Sequence, residues 1–119
     1  MKEETILTIA KWSEETFGDN ITLYGQIDKF DDEYKEWLAS DRQDIMELAD
    51  MAIVVCSIAR FSMASAMIGF QEVLHELEKS DFMSAHLEDA INKKMAINRK
   101  RKWSVGKGNY QHIEEGGEE

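Results

Sequence analysis

Apolar positions recur at helical spacing along most of this chain. Over residues 3–17, Ile6, Ile9, Ala10 and Phe17 share one face, with Leu7 and Trp12 at its edges, and Gly18 stops the pattern. Gly25 closes a short connection. A second helix is expected over 26–39, with Ile27, Phe30, Tyr34, Trp37 and Leu38 three and four residues apart and an acidic opposite side. Ser40-Asp41-Arg42-Gln43 has the form of a capping box, which breaks the chain near residue 40. The third helix begins at Ile45 and Met46 and runs on almost without a polar face, as far as about residue 79, with a bend expected near 60–65 or at Gly69. A helix apolar on most sides belongs at the centre of a bundle or in a subunit interface. A fourth helix is expected over 82–102, followed by a Gly-punctuated irregular tail from Trp103. The predicted fold is all-α and four-helix-bundle-like.

Composition supports that class. The 119 residues contain no Pro, and most of the 7 Gly lie in the C-terminal quarter. With 43% hydrophobic residues and no internal repeat, one domain spanning 1–119 is expected, small enough to complete its core by oligomerising. The net charge of −10 argues against nucleic-acid polymers and anionic membranes as partners. Glu47, Asp50 and Arg60 interrupt the apolar run over 46–70, which argues against a bilayer span. The lone Cys56 excludes an internal disulfide and reads as a buried, inert thiol. With no secretory leader, a cytoplasmic protein is expected.

The chemistry lies in two acidic pairs. Glu33 and Glu36 are three apart, as are Glu47 and Asp50, so each pair projects from one helix face. The point midway between the pairs falls between Asp41 and Arg42. A chain folding back there as an antiparallel hairpin brings all four acids to one height. Glu47 and Asp50 also open the most apolar helix in the chain, where unpaired charge costs several kcal/mol, about 3–5 on loss of a partner. A hard divalent cation would offset that cost, and with no Cys or His in the set the donors suit Mg²⁺ or Mn²⁺ better than zinc. The plain alternative is a set of solvated surface acids at helical spacing.

Further along, Lys93, Lys94, Arg99, Lys100, Arg101 and Lys102 fall within ten positions without an acid among them. Steps of four and three put Lys94, Asn98 and Arg101 on one face, which suits a polyphosphate as well as it suits a solvated stripe. Beside a cluster of metal-ligating acids, such cations match the division of labour in phosphoryl-group chemistry. A single Glu72-x-x-His75 offers a weaker metal motif, since di-iron bundles use it twice.

Taken together, Asp32-Glu33-x-x-Glu36, Glu47-x-x-Asp50 and Lys94-x-x-x-Asn98-x-x-Arg101 resemble the MazG-like all-α nucleoside triphosphate pyrophosphohydrolases. The string over 94–103, with Tyr110-Gln111-His112-Ile113 after it, is similar to the phage and bacterial dATP/dGTP pyrophosphohydrolase branch. The resemblance implies a MazG-type fold and hydrolysis of a deoxynucleoside triphosphate to monophosphate and pyrophosphate, in nucleotide-pool control or modified-base supply. It implies two or three Mg²⁺ or Mn²⁺ ions held by Glu33, Glu36, Glu47 and Asp50, with Glu36 as the residue that orients or deprotonates water. It further implies that Lys94, Asn98 and Arg101 contact phosphates or sugar, and that the enzyme is a homodimer or tetramer in a phage-infected or bacterial cytoplasm. Trp12, Phe17, Tyr110 and His112 are candidates to meet the base, although residues like the first two more often belong to the core. The rival function is a non-enzymatic helical interaction protein whose third helix docks a partner.

Overall fold

The computed structural model describes residues 3–106 and 109–112, with side chains through Trp103. Five α-helices carry the fold: α1 (Ile6–Phe17), α2 (Leu23–Ala39), α3 (Ile45–Ile58), α4 (Met63–Lys79) and α5 (Ser84–Asn98). No helix among the described residues is long and apolar enough to cross a membrane.

Local chemistry sets the boundaries. Thr5 caps α1 in a reciprocal box with Thr8, and Gly18, at φ 55°, lets the chain leave the helix into a short 3₁₀ turn. Thr22, whose hydroxyl accepts the Gly25 N–H, starts α2 earlier than residue 26. Gly25 therefore lies inside the helix and does not end the connection before it.

The Ser40 box forms only in part. The Ser40 hydroxyl does receive the N–H groups of Gln43 and Asp44, but it also donates to the carbonyl of Trp37 and closes α2. Asp44 is the residue that caps α3. Between them Asp41 and Arg42 adopt left-handed backbone, φ 60° and 58°, at a cost of order 1 kcal/mol each for residues with a Cβ. The fold-back thus sits at the midpoint that the acidic pairs imply.

The long third helix of the sequence reading is two helices. The chain breaks over residues 59–62, where the Ser62 hydroxyl accepts the Ser65 N–H and starts α4. Arg60 turns back to donate to the Ser13 hydroxyl and the Gly18 carbonyl. Those side-chain bonds compete with continued helix, so the count becomes five instead of four. The last helix is shorter than expected, because the Trp103 indole N–H reaches the Asn98 carbonyl across its end. The tail is not wholly irregular either: residues 103–106 (β1) pair antiparallel with 109–112 (β2), Trp103 opposite His112.

Helix α3 is the axis of the molecule. Ten of its residues are buried, including the unbroken run from Met51 to Ile58, and α1, α2, α4 and α5 pack around it. That places it at the centre of the bundle, and α4 carries more of the exposed large apolar residues than any other helix: Met63, Met67, Ile68 and Leu74. Cys56 is buried in the axis, and burial pushes its thiol up to about 12, as expected of an inert core cysteine.

Candidate active site

Helix α2 supplies Glu33 and Glu36, and α3 returns Glu47 antiparallel to them. One carboxylate oxygen from each of the three lies within 4.8 Å of the others. Glu33 is buried, Glu47 half-buried and Glu36 exposed, so the cluster runs from the interior to solvent. One oxygen on Glu33 and one on Glu47 are buried without a hydrogen-bond partner. Polar atoms left this way are costly unless something fills the place of the missing partner.

The electrostatics agree with the geometry. Burial, then the charge of Asp50, pushes the Glu33 carboxyl up to about 7, although Lys29 opposes the shift. Burial, then the charge of Glu36 and a hydrogen bond with it, pushes Glu47 up to about 7. Asp50 rises to about 6, mainly through burial and against the pull of Lys94. Carboxylates crowded and dried in this way hold protons until a cation replaces them. The donor set is all oxygen, so it fits a hard divalent ion.

Asp50 stands beside the cluster rather than within its tightest group. Its Oδ2 is 3.4 Å from Lys94 Nζ, with both side chains mostly buried. The structure thus brings the first cation of the basic stripe to the fourth acid. Asn98 is buried on the same helix, its amide donating to the sulfur of Met95 at 3.8 Å. Arg101, beyond the helix end, reaches Asn98 Oδ1 at 3.5 Å. Two other cations of the run are in ion pairs: Arg99 makes a forked pair with Glu4 at 2.9 and 3.0 Å, and Lys93 pairs with Asp89 at the surface.

Trp12 and Phe17 lie in the core, edge to face with each other and with Trp103 at centroid separations of 5.4–5.9 Å. The Trp103 ring anchors the hairpin to α1 through these contacts. The side chains of Tyr110 and His112 lie outside the described residues. Glu72 and His75 form no metal-ligating group among the described residues: Glu72 accepts the Tyr34 hydroxyl at 3.1 Å and His75 is exposed.

Besides Ser13 and Ser57, whose hydroxyls share a hydrogen bond at 2.7 Å, two buried polar residues escaped the sequence reading. Glu76, wholly buried on α4, accepts from Tyr34 Oη (2.5 Å), Trp37 Nε1 (3.0 Å) and Arg42 Nε (2.7 Å), with Lys79 Nζ at 3.4 Å. Burial alone would raise its carboxyl. The bonds from Arg42, Tyr34 and Trp37 outweigh that and hold it down at about 2. The signal for Glu76 was its place on the apolar face of α4, in step with Ala66, Gly69 and Val73. Gln26, one heptad before Glu33 on α2, is wholly buried with neither amide atom paired, and nothing in the sequence pattern marked it.

The model of the family described as dATP/dGTP pyrophosphohydrolase matches residues 5–118, nearly the whole chain. Neither a curated relative nor a solved structure matches it. A family defined by this reaction sets aside the non-enzymatic helical interaction protein. The chain belongs to the dATP/dGTP pyrophosphohydrolase family, and it is an enzyme, a nucleoside triphosphate pyrophosphohydrolase.

Proposed function

We propose that this enzyme hydrolyses dATP and dGTP to the deoxynucleoside monophosphate and pyrophosphate in a reaction dependent on Mg²⁺ or Mn²⁺. The observation that carries the metal dependence is the convergence of Glu33, Glu36 and Glu47 within 4.8 Å, with unpaired buried oxygens on two of them. Asp50, close enough to Glu33 to raise its carboxyl, completes the ligand set. Once bound, a divalent cation would neutralise phosphate oxygens and lower the pKa of water.

The chain's own residues supply the rest. Glu36 is the exposed member of the cluster and takes the proton of the attacking water. Water adds at a phosphorus flanking the α–β bridging oxygen, the bond to that oxygen breaks, and the leaving group (pyrophosphate for attack at the α-phosphorus, the monophosphate for attack at the β-phosphorus) carries away the electron pair. Lys94, already beside Asp50, and Arg101, beside Asn98, hold the phosphates or sugar, and Asn98 orients Arg101. Residues 1–119 act as one domain, and two or more copies assemble. The monophosphate serves nucleotide-pool control or modified-base supply in a phage-infected or bacterial cytoplasm.

Product analysis tests the reading. The purified protein with Mg²⁺ or Mn²⁺ should release pyrophosphate and monophosphate from dATP and dGTP, and Glu36→Gln should lower kcat by about 100-fold or more. Survival of every common dNTP and NTP with both ions would overturn it.

A further inference from the structure

Glu76 lies outside the acid cluster, on a different helix, yet apart from Lys79 every group it bonds belongs to the hairpin that carries the cluster. Tyr34 and Trp37 are on α2, and Arg42 is at the turn into α3. Tyr34 follows Glu33 in sequence and Trp37 follows Glu36. Neighbours on a helix diverge by about 100°, so the face that bonds Glu76 is fixed in angle to the face that presents the ligands. Tying Tyr34 and Trp37 to one buried carboxylate on α4 therefore stops α2 from turning about its own axis.

Small turns matter here. A rotation of about 20° moves a carboxylate about 6 Å from the helix axis by about 2 Å, whereas ligand distances tolerate about 0.2 Å. The third bond acts at the fold-back. Asp41 and Arg42 hold left-handed backbone that residues with a Cβ disfavour, and such conformations persist only where the surroundings over-determine them. The Arg42–Glu76 pair at 2.7 Å adds to the backbone bonds from Asp41 N–H to the Leu38 carbonyl and from Arg42 N–H to the Trp37 carbonyl in holding that conformation.

We propose that Glu76 is a positioning residue for the metal centre: it sets the rotation of α2 and the closure of the α2–α3 hairpin, and so converges Glu33 and Glu36 on Glu47. This rests on the metal reading of the cluster. A merely structural Glu76 would contribute stability without any specific effect on cation affinity.

The test is equilibrium Mn²⁺ binding to the full chain, read from the electron paramagnetic resonance of free Mn²⁺, for the unaltered protein, Glu76→Gln and Arg42→Met. Circular dichroism would establish that each is folded at the assay temperature. Glu76→Gln should weaken Mn²⁺ binding by about tenfold or more, and Arg42→Met should weaken it in the same direction but less. Raising Mn²⁺ should restore most of the Glu76→Gln turnover, with KM for dATP at saturating Mn²⁺ little changed. Mn²⁺ affinity within about twofold of the unaltered protein in folded Glu76→Gln, whatever its melting temperature, would overturn the proposal. Should Glu76→Gln fail to fold, Arg42→Met decides by the same criterion. An unaltered protein that binds no Mn²⁺ would overturn the metal reading and this proposal with it. Binding that the two variants leave intact would overturn the positioning role alone.

Discussion

Burial and crowding hold the carboxyls of Glu33, Glu47 and Asp50 above the usual carboxylate range, and the direction has consequences. Glu33 and Glu47 at about 7 and Asp50 at about 6 all lie above their ordinary values. Between about pH 4.5 and 7 the folded, metal-free chain keeps protons that the unfolded chain releases. These groups therefore make the metal-free protein less stable as pH rises through that window. Glu76 has the opposite sign: held at about 2, it contributes stability above about pH 4.5 that is lost on acidification towards 2. Thermal melts in EDTA should thus fall between pH 5 and pH 8. Added Mn²⁺ should raise the melting temperature more at pH 8, where protons no longer compete for the ligands. Melts in EDTA that do not change over this range would contradict the crowding of the three acids. Which residues could be ligands was readable from three-residue spacing and an apolar setting. How far their protons are held was not, because that depends on burial and on neighbours from other helices.

Helices α3 and α4 meet closely at Gly69. A Cβ built at Gly69 would stand 2.8 Å from Cγ2 of Val55, a buried β-branched side chain with little freedom to move aside. Gly69→Ala should cost about 1–3 kcal/mol in denaturant unfolding, more than the helix propensity gained from alanine returns. A neutral or stabilising result would show that α4 slides easily on α3. The sequence offered a bend near residues 60–65 or at Gly69; α4 continues through Gly69, and the chain breaks at the edge of the first region. The glycine instead serves contact, and the actual break lies at residues 59–62, where Ser62 and Arg60 find partners. A single-sequence pattern finds apolar runs readily. It does not reveal that a serine will cap one helix while an arginine nine residues upstream of Gly69 reaches across to α1.

Seen as a whole, the molecule is strongly acidic, and copies of it repel one another wherever their charges face. The exception is the outer face of α4. Residues 61–71 contain no charged side chain, and Met63, Met67 and Ile68, with Leu74 nearly two turns on, are more than half exposed. We expect the homo-oligomer to form there, through a second copy of the chain. Light scattering after size exclusion should give a dimer or larger species, and Met67→Glu with Ile68→Glu should shift it towards monomer. A monomeric unaltered protein at micromolar concentration would overturn that assembly. The sequence reading expected an apolar helix either at the centre or at an interface. The break at residues 59–62 leaves the centre to α3 and the exposed apolar residues Met63, Met67, Ile68 and Leu74 to α4.

By itself the sequence determined the helical class, the fold-back between the acidic pairs and the four acids worth watching. Each follows from local spacing: period 3.6 for the helices, and a symmetric midpoint for the hairpin. The left-handed pair Asp41 and Arg42 sits where that midpoint fell. Only the tertiary structure decided the remainder. It bound Lys94 to Asp50, packed Trp12 and Phe17 against Trp103, and tied α2 to α4 through Glu76. These contacts join residues tens of positions apart, and their energies depend on burial that no single segment contains. A buried carboxylate on an apolar face shows in the sequence only as an anomaly, and its meaning appears when three donors from another part of the chain meet it.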